Sequence, residues 1–232
     1  MTALLPYQRD SLKRAAAAWA IAEIEDGMVV GLGSGTTAAF AIEALAVRIA
    51  KGLRVLGLPT SNKSAALARQ LGVPLTDFAK HRRLDVVIDG ADQIALATFD
   101  LIKGGGGSLL REKIVASACD RMIVIVDETK LAGGLGGDTL LPVEIVSFGW
   151  QTVFDRLASI GCGPQLRLVD GKPFTTDGGN YIADCRVALI PDPAGLEAQL
   201  SAIVGVIESG LFIGMASDIV VGRGMGVDVF KK

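Results

Sequence analysis

Three short segments carry the residue types needed to bind a small anion and move its protons: Ser34-Gly35-Thr36-Thr37, Asp89-Gly90-Ala91-Asp92 and Lys103-Gly104-Gly105-Gly106. Glycines expose backbone N–H donors, aspartates accept and return protons, and a lysine supplies fixed positive charge. The first segment ends the glycine loop Gly31-Leu32-Gly33-Ser34-Gly35-Thr36-Thr37. That loop departs from the dinucleotide fingerprint G-x-G-x-x-G, which needs a glycine where Thr36 stands. The acidic residue expected after the next strand is also replaced, by Pro59-Thr60-Ser61. No lysine precedes Thr36 or Thr37 as a Walker loop requires. A loop rich in N–H groups and hydroxyls at a helix N-terminus suits phosphate, because amide donors and the helix dipole both favour an anion. A tight strand-to-helix turn with a serine or threonine cap accounts for the same residues.

Asp89 and Asp92 follow an apolar run, and two carboxylates so spaced can face one crevice. Mutual repulsion would raise the pKa of one and suit it to proton transfer with sugar hydroxyls. An Asx turn with a helix cap is the structural alternative. A metal site is disfavoured, with no histidine nearby and Gln93 next in line. Lys103 precedes four consecutive glycines, and their entropic cost fits a close backbone approach to a ligand better than a casual linker. Glu112 lies one residue past the capping-box position counted from Ser108. It is either an acid favoured by the helix dipole or a carboxylate turned to the crevice. Lys130 lies just beyond the run 122–126, where a surface lysine is the plain alternative.

These segments need strands that end together. Apolar runs at 28–32, 54–58, 84–88 and 122–126 alternate with helical patterns over 36–50, 61–71 and 108–119, after a first helix over 11–25. Such alternation predicts right-handed βαβ units and a mainly parallel, Rossmann-like sheet with helices on both faces. Ligands of such a sheet bind beyond the carboxyl ends of its strands. After Lys130 the texture changes, beginning with Ala132-Gly133-Gly134-Leu135-Gly136-Gly137. Strand 143–146, helix 148–160, strands 165–169 and 181–187, helix 193–203 and strand 206–212 then read as a smaller ferredoxin-like α+β domain. The apolar tail at 219–221 and 227–230 is expected to rejoin the first sheet. The predicted domains are therefore 1–132 with 213–232, and 133–212.

Composition removes several classes of function. The 232 residues carry a net charge of −2 and no basic stripe beyond Lys80-His81-Arg82-Arg83, which argues against a nucleic-acid partner. No apolar run reaches the roughly 18 residues of a membrane span, and residues 1–10 lack the pattern of a secretory signal, so a cytoplasmic location is expected. The three cysteines are widely spaced without CxxC, which indicates neither a disulfide framework nor zinc, although one could be a nucleophile. With His81 the single histidine, a Cys/His or Ser/His pair has little support. Carboxylates, lysine and backbone amides are left to do the chemistry.

The motifs at 31–37, 89–92 and Lys103-Gly-Gly-Gly-Gly-Ser-Leu-Leu-Arg-Glu-Lys113, in this order and spacing, closely resemble the type A ribose-5-phosphate isomerase family. Leu141-Pro142-Val143-Glu144 and Thr176-Asp177-Gly178-Gly179-Asn180 resemble further signatures of it, so the likeness runs nearly end to end. The resemblance implies interconversion of D-ribose 5-phosphate and D-ribulose 5-phosphate without a cofactor or metal, in the pentose phosphate route or the Calvin cycle, by a homodimer or homotetramer. It implies Glu112 as the proton acceptor, Asp89 or Asp92 assisting ring opening, and Lys103 with the amides of Gly104, Gly105 and Gly106 stabilising an enediolate. Ser34, Gly35, Thr36, Thr37, Asp89, Gly90, Ala91, Asp92 and Lys130 become substrate-binding residues. The family commonly has glutamate where this chain has Gln93, a departure expected to alter the charge around Asp92. A non-catalytic sugar-phosphate sensor, and an amino-sugar phosphate isomerase or sugar-lactone hydrolase, are the competing classes; the enzymes among them would need histidine in key roles.

Overall fold

The computed structural model describes residues 5–224 and 226–232. Residues 1–4 and Met225, which the predicted first domain includes, lie outside the described residues. In chain order the elements are α1 (Pro6–Ala22), β1 (Val29–Leu32), α2 (Gly35–Ala50), β2 (Leu56–Pro59), α3 (Asn62–Gln70), β3 (Val86–Asp89), β4 (Gln93–Ala95), β5 (Asp100–Ile102), α4 (Leu109–Ser117) and β6 (Met122–Asp127). After a 3-10 turn (Glu128–Lys130) come β7 (Leu131–Ala132), β8 (Leu141–Ile145), α5 (Trp150–Ser159), β9 (Gly163–Leu166), β10 (Leu168–Val169), β11 (Lys172–Pro173) and β12 (Tyr181–Arg186). The chain closes with α6 (Pro193–Ser201), β13 (Val206–Ser209), β14 (Leu211–Phe212), β15 (Asp218–Arg223) and β16 (Gly226–Lys231). Two compact units result, one of residues 1–91, 111–130 and 215–232, the other of residues 92–110 and 131–214.

The first unit holds the sheet β16-β15-β6-β3-β1-β2, parallel throughout except for β16. Its central strands are apolar runs buried on both sides, as parallel strands under helices must be. The chain leaves β1 for β2 on one flank and returns to β3 on the other, so the topological switch point falls between β1 and β3. Side chains alternate across a strand. Val30, Leu32, Val86, Ile88, Ile123 and Ile125 pack with Ala16, Ala20 and Ile21 of α1 and Ile42 and Leu45 of α2. Gly31, Val87 and Asp89 therefore address the opposite face, where α4 lies. A Cβ on Gly31 would fall 2.8 Å from Val115 Cγ1, so the absence of a side chain is what lets α4 approach β1. Helix α1 starts earlier than the predicted 11–25, because Pro6 fits the first helical position and Gln8 accepts from the Leu5 N–H at 2.8 Å.

In the second unit β8, α5, β9, β12, α6 and β13 form the antiparallel sheet β13-β8-β12-β9, the strand order of a ferredoxin-like βαββαβ unit. Leu141, Val143, Ile145, Val153, Leu157, Ala183, Cys185 and Leu200 build its core. A second sheet, β14-β5-β4-β7, and the hairpin β10-β11 belong to the same unit. The strand expected over 206–212 is two strands in different sheets. A Cβ on Gly210 would sit 3.0 Å from Pro142 O, and the chain passes there from β8 to β5, with Gly210 N–H donating to Pro142 O and Gly210 O accepting from Lys103 N–H. The strand expected over 165–169 likewise divides at Arg167 into β9 and β10.

Among the described residues no helix is long and apolar enough to cross a membrane. All three cysteines are free, and Cys162 and Cys185 are buried. Burial pushes the Cys119 thiol up to about 11, which removes it as a nucleophile near neutral pH.

Candidate active site

In the first unit the loops after β1 and β3 are joined at the switch point. Gly33 N–H donates to Ile88 O at 3.0 Å, Ser34 N–H to Asp89 Oδ1 at 3.0 Å, and Gly90 N–H to the same oxygen at 2.8 Å. Asp89 is only 1% exposed, so one edge of its carboxylate serves as the brace between the loops. A side chain on Gly33 would overlap that carboxylate, which makes glycine obligatory there. Gly35, at φ +86°, turns the chain into α2. Ser34 does not cap α2 through its side chain. Its hydroxyl lies instead 2.8 Å from both Thr60 Oγ1 and Ser61 Oγ and 3.2 Å from Ser64 Oγ, while Ser64 Oγ donates to Gly33 O at 2.7 Å. The serine cap weighed above is thus not realised, and the first-turn amides of α2, which have no intrahelical partners, keep their anion-binding character. Thr37 and Gly90 are neighbours, since a Cβ on Gly90 would stand 3.6 Å from Thr37 Cβ.

Glu112 lies in the first turn of α4 and is 5% exposed. Val115, one turn further on the same helix face, sits over Gly31 in the middle of β1. A crossover helix runs antiparallel to its strands, so Glu112 lies towards the carboxyl end of β1, on the sheet face that Asp89 addresses. Arg111 Nη1 donates to Asn62 Oδ1 at 3.2 Å and ties this turn to the start of α3. Lys130 closes the 3-10 turn after β6, where Asp127 Oδ1 accepts from Thr129 N–H at 3.0 Å.

One basic residue of this unit escapes sequence reasoning. Lys13, on α1, has a side chain only 15% exposed, with Nζ 3.5 Å from Thr36 Oγ1 and 3.6 Å from Asp10 Oδ1. Nothing in the local pattern of an alanine-rich helix marks it. His81, by contrast, is occupied with Thr76, its Nδ1 lying 2.7 Å from Thr76 Oγ1.

The second unit holds Asp92 and the glycine loop. Asp92 N–H donates to Ile102 O at 2.8 Å, and Asp92 Oδ2 accepts from Gly105 N–H at 2.7 Å, so the loop folds back onto its carboxylate. Lys103 is 3% exposed, with Nζ 5.4 Å from the centre of the Phe212 ring. Gly104 and Gly107 have φ of +105° and +77°, and a side chain on Gly107 would overlap Phe174. Gln93 turns away from this carboxylate: its Nε2 donates to Gly136 O at 3.0 Å and its Oε1 accepts from Gly136 N–H at 2.7 Å. Only an amide can both donate and accept in this way, so Gln93 clasps the glycine-rich loop rather than tuning the charge of Asp92.

The two remaining signatures explain each other. Glu144 on β8 is 1% exposed, and its Oε1 accepts from Thr176 Oγ1 at 2.8 Å and from Asn180 Nδ2 at 2.9 Å. The Thr176 turn is thereby pinned to β8, which holds Phe174 against Gly107. Thr176→Val, which keeps the shape and deletes the donor, is expected to cost about 2 kcal/mol, read as a lower urea midpoint at unchanged slope. Among the described residues no group of three His, Cys, Asp or Glu is placed to hold a metal ion.

A doubly wound α/β sheet with its loops braced at the switch point, carried with a ferredoxin-like unit, defines a class of α/β protein built to bind a small ligand at strand ends. The sequence profile described as ribose 5-phosphate isomerase A (phosphoriboisomerase A) matches residues 56–226. Ribose-5-phosphate isomerase A of Gloeobacter violaceus is 52% identical over 220 residues, 95% of this chain and 96% of that protein. The structure of ribose 5-phosphate isomerase A from Methanocaldococcus jannaschii is 38% identical with a TM-score of 0.92, over 96% of this chain and 99% of that one. A D-ribose-5-phosphate isomerase solved in complex with phospho-erythronic acid is 34% identical with a TM-score of 0.93, over 97% of this chain and 99% of that one. This chain belongs to the ribose 5-phosphate isomerase A family.

Proposed function

We propose that this chain interconverts D-ribose 5-phosphate and D-ribulose 5-phosphate through a cis-enediolate, with Glu112 as the base. The observation that carries this reading is the buried Glu112 carboxylate in the first turn of α4, one turn before the Val115–Gly31 contact and so towards the carboxyl end of β1. Glu112 takes the C2 proton as negative charge passes to the C1 oxygen. The same carboxyl group returns the proton to C1 while the C2 hydroxyl proton passes to the C1 oxygen, which leaves the C2 oxygen as the carbonyl. Asp89 and Asp92 shuttle the protons that open the furanose ring, with Gly90 and Ala91 forming the turn between them. Lys103 and the amides of Gly104 and Gly106 meet the developing enediolate oxygen, while Gly105 N–H holds the Asp92 carboxylate. A preorganised donor of that kind is worth roughly 2.7 to 4 kcal/mol. Ser34, Gly35, Thr36 and Thr37 present the α2 amides to the phosphate, with Lys130 supplying charge.

Lys13 joins that group through its contact with Thr36. Phosphate charge is the same in the ground and transition states, so this lysine contributes uniform binding. Lys13→Ala is expected to raise KM about tenfold with kcat within about twofold of the parent, as loss of one charge-assisted contact implies. The phospho-erythronic acid bound by one relative carries a phosphate and a planar anionic carboxylate, the shape and charge of an enediolate. That chemistry supports the same route here.

The reading places the enzyme in the cytoplasm, where the free cysteines suit a reducing compartment. It also includes a homodimer or homotetramer, supported by large apolar side chains left bare, Phe148 at 93% and Val204 at 90% exposure. The test is ketose formation from ribose 5-phosphate by the purified chain in the presence of EDTA. Turnover is expected. Saturable binding of ribose 5-phosphate with no ketose formed would instead identify a sensor.

A further inference from the structure

We infer that Arg167, between β9 and β10, is a positioning residue that sets the peptide planes of the glycine loop at 103–106. Its guanidinium grips both carboxylate oxygens of Asp184 on β12, with Nε donating to Oδ2 at 2.8 Å and Nη2 to Oδ1. Nη1 reaches across to Gly104 O at 3.0 Å and Gly105 O at 3.1 Å. The base of the side chain is fixed as well: Arg167 N–H donates to Ile182 O at 2.9 Å, and Arg167 O accepts from Phe174 N–H at 2.8 Å. With 14% side-chain exposure the group is well shielded from water.

A trans peptide directs its N–H opposite to its C=O. Two successive carbonyls drawn onto one guanidinium therefore send the following two amides, Gly105 N–H and Gly106 N–H, to the other side of the loop. The first of these lands on Asp92 Oδ2 at 2.7 Å, which confirms the direction. The second is presented on that same side as a donor for an anion. Charge-assisted bonds at the carbonyls also polarise the peptides and strengthen their N–H groups as donors. Four consecutive glycines have no side chains to choose among their conformations, so hydrogen bonds choose: Gly107 N–H donates to Gly104 O at 2.9 Å and closes the turn, and the guanidinium holds the two carbonyls from outside. Lysine cannot replace the arginine, because a point charge cannot hold two carboxylate oxygens and two carbonyls in one plane.

The role rests on the isomerase reading, in which this loop receives the enediolate oxygen. It predicts a loss in kcat rather than in substrate affinity. Arg167→Ala is expected to lower kcat about 10²-fold, the effect of losing an oxyanion donor, with KM within about threefold of the parent. Methylguanidinium, below any concentration that shifts the thermal midpoint, should recover part of the lost kcat, a rescue that a loss of packing alone would not allow. Arg167→Lys should fold as the parent does and still lose about tenfold in kcat. A folded Arg167→Lys or Arg167→Ala protein with parental kcat, or a loss confined to KM, would overturn the role while leaving the isomerase reading intact. An inactive parent protein would overturn both.

Discussion

Glu112→Gln is expected to lower kcat by at least about 10³-fold, within the range attributed to a positioned general base, while KM for ribose 5-phosphate stays within about threefold. Glutamine has the size of glutamate and can occupy the same buried place in the first turn of α4. It cannot hold the proton that must leave C2 and return at C1. A loss of kcat and kcat/KM together, with binding retained, is the mark of a group needed in the transition state. The comparison is made by steady-state kinetics beside calorimetric titration with an unreactive aldonic acid phosphate. Near-parental turnover would remove Glu112 from the mechanism.

Gly33→Ala is expected to damage fold and activity together. The new Cβ would overlap the Asp89 carboxylate and approach Ile88 O to 2.6 Å, so either β3 or the loop must move. Movement sacrifices the Gly33–Ile88 and Ser34–Asp89 hydrogen bonds that brace the switch point. Overpacking of a closed site costs about 1–3 kcal/mol, and each lost bond about 1 kcal/mol more. The expected sum is roughly 3 to 5 kcal/mol, read from urea unfolding. The surviving folded protein should have kcat/KM reduced by about 10² or more, as displacement of positioning groups commonly produces. Gly106→Ala is the control: a Cβ there meets nothing within 4 Å, so its effect on stability should be small.

The parallel sheet was legible because its strands are apolar runs, with β1, β3 and β6 closed by glycine or aspartate, and burial between helices imposes such runs. The ferredoxin-like order was legible for a related reason, with β8, β12 and the amphipathic α5 each keeping one period. The short strands β4 and β5 were not foreseen. Three residues each, they draw their stability from pairing with β14 and β7, which no local pattern announces. Arg167 falls inside the expected strand 165–169 with nothing local to mark it, and its meeting with Asp184 and Gly104 comes from distant segments. Chemistry-bearing residues stood out where they clustered, as at 34–37 and 103–106. Lys13 and the hydroxyls of Thr60, Ser61 and Ser64 are scattered in sequence, and only folding brings them to the loop after β1. Asp89 was read as an acid–base group. The structure shows it as the brace of two loops, a structural duty that spacing alone does not reveal.

The central claim is that one carboxylate moves a proton between C1 and C2 through an enediolate, and isotope exchange tests it directly. The protein is incubated with ribose 5-phosphate in deuterium oxide containing EDTA, and the recovered aldose is analysed at C2 by proton magnetic resonance. Deuterium should enter at C2 with the parent chain and fail to enter with Glu112→Gln. Undiminished exchange or undiminished ketose formation in Glu112→Gln would contradict the account.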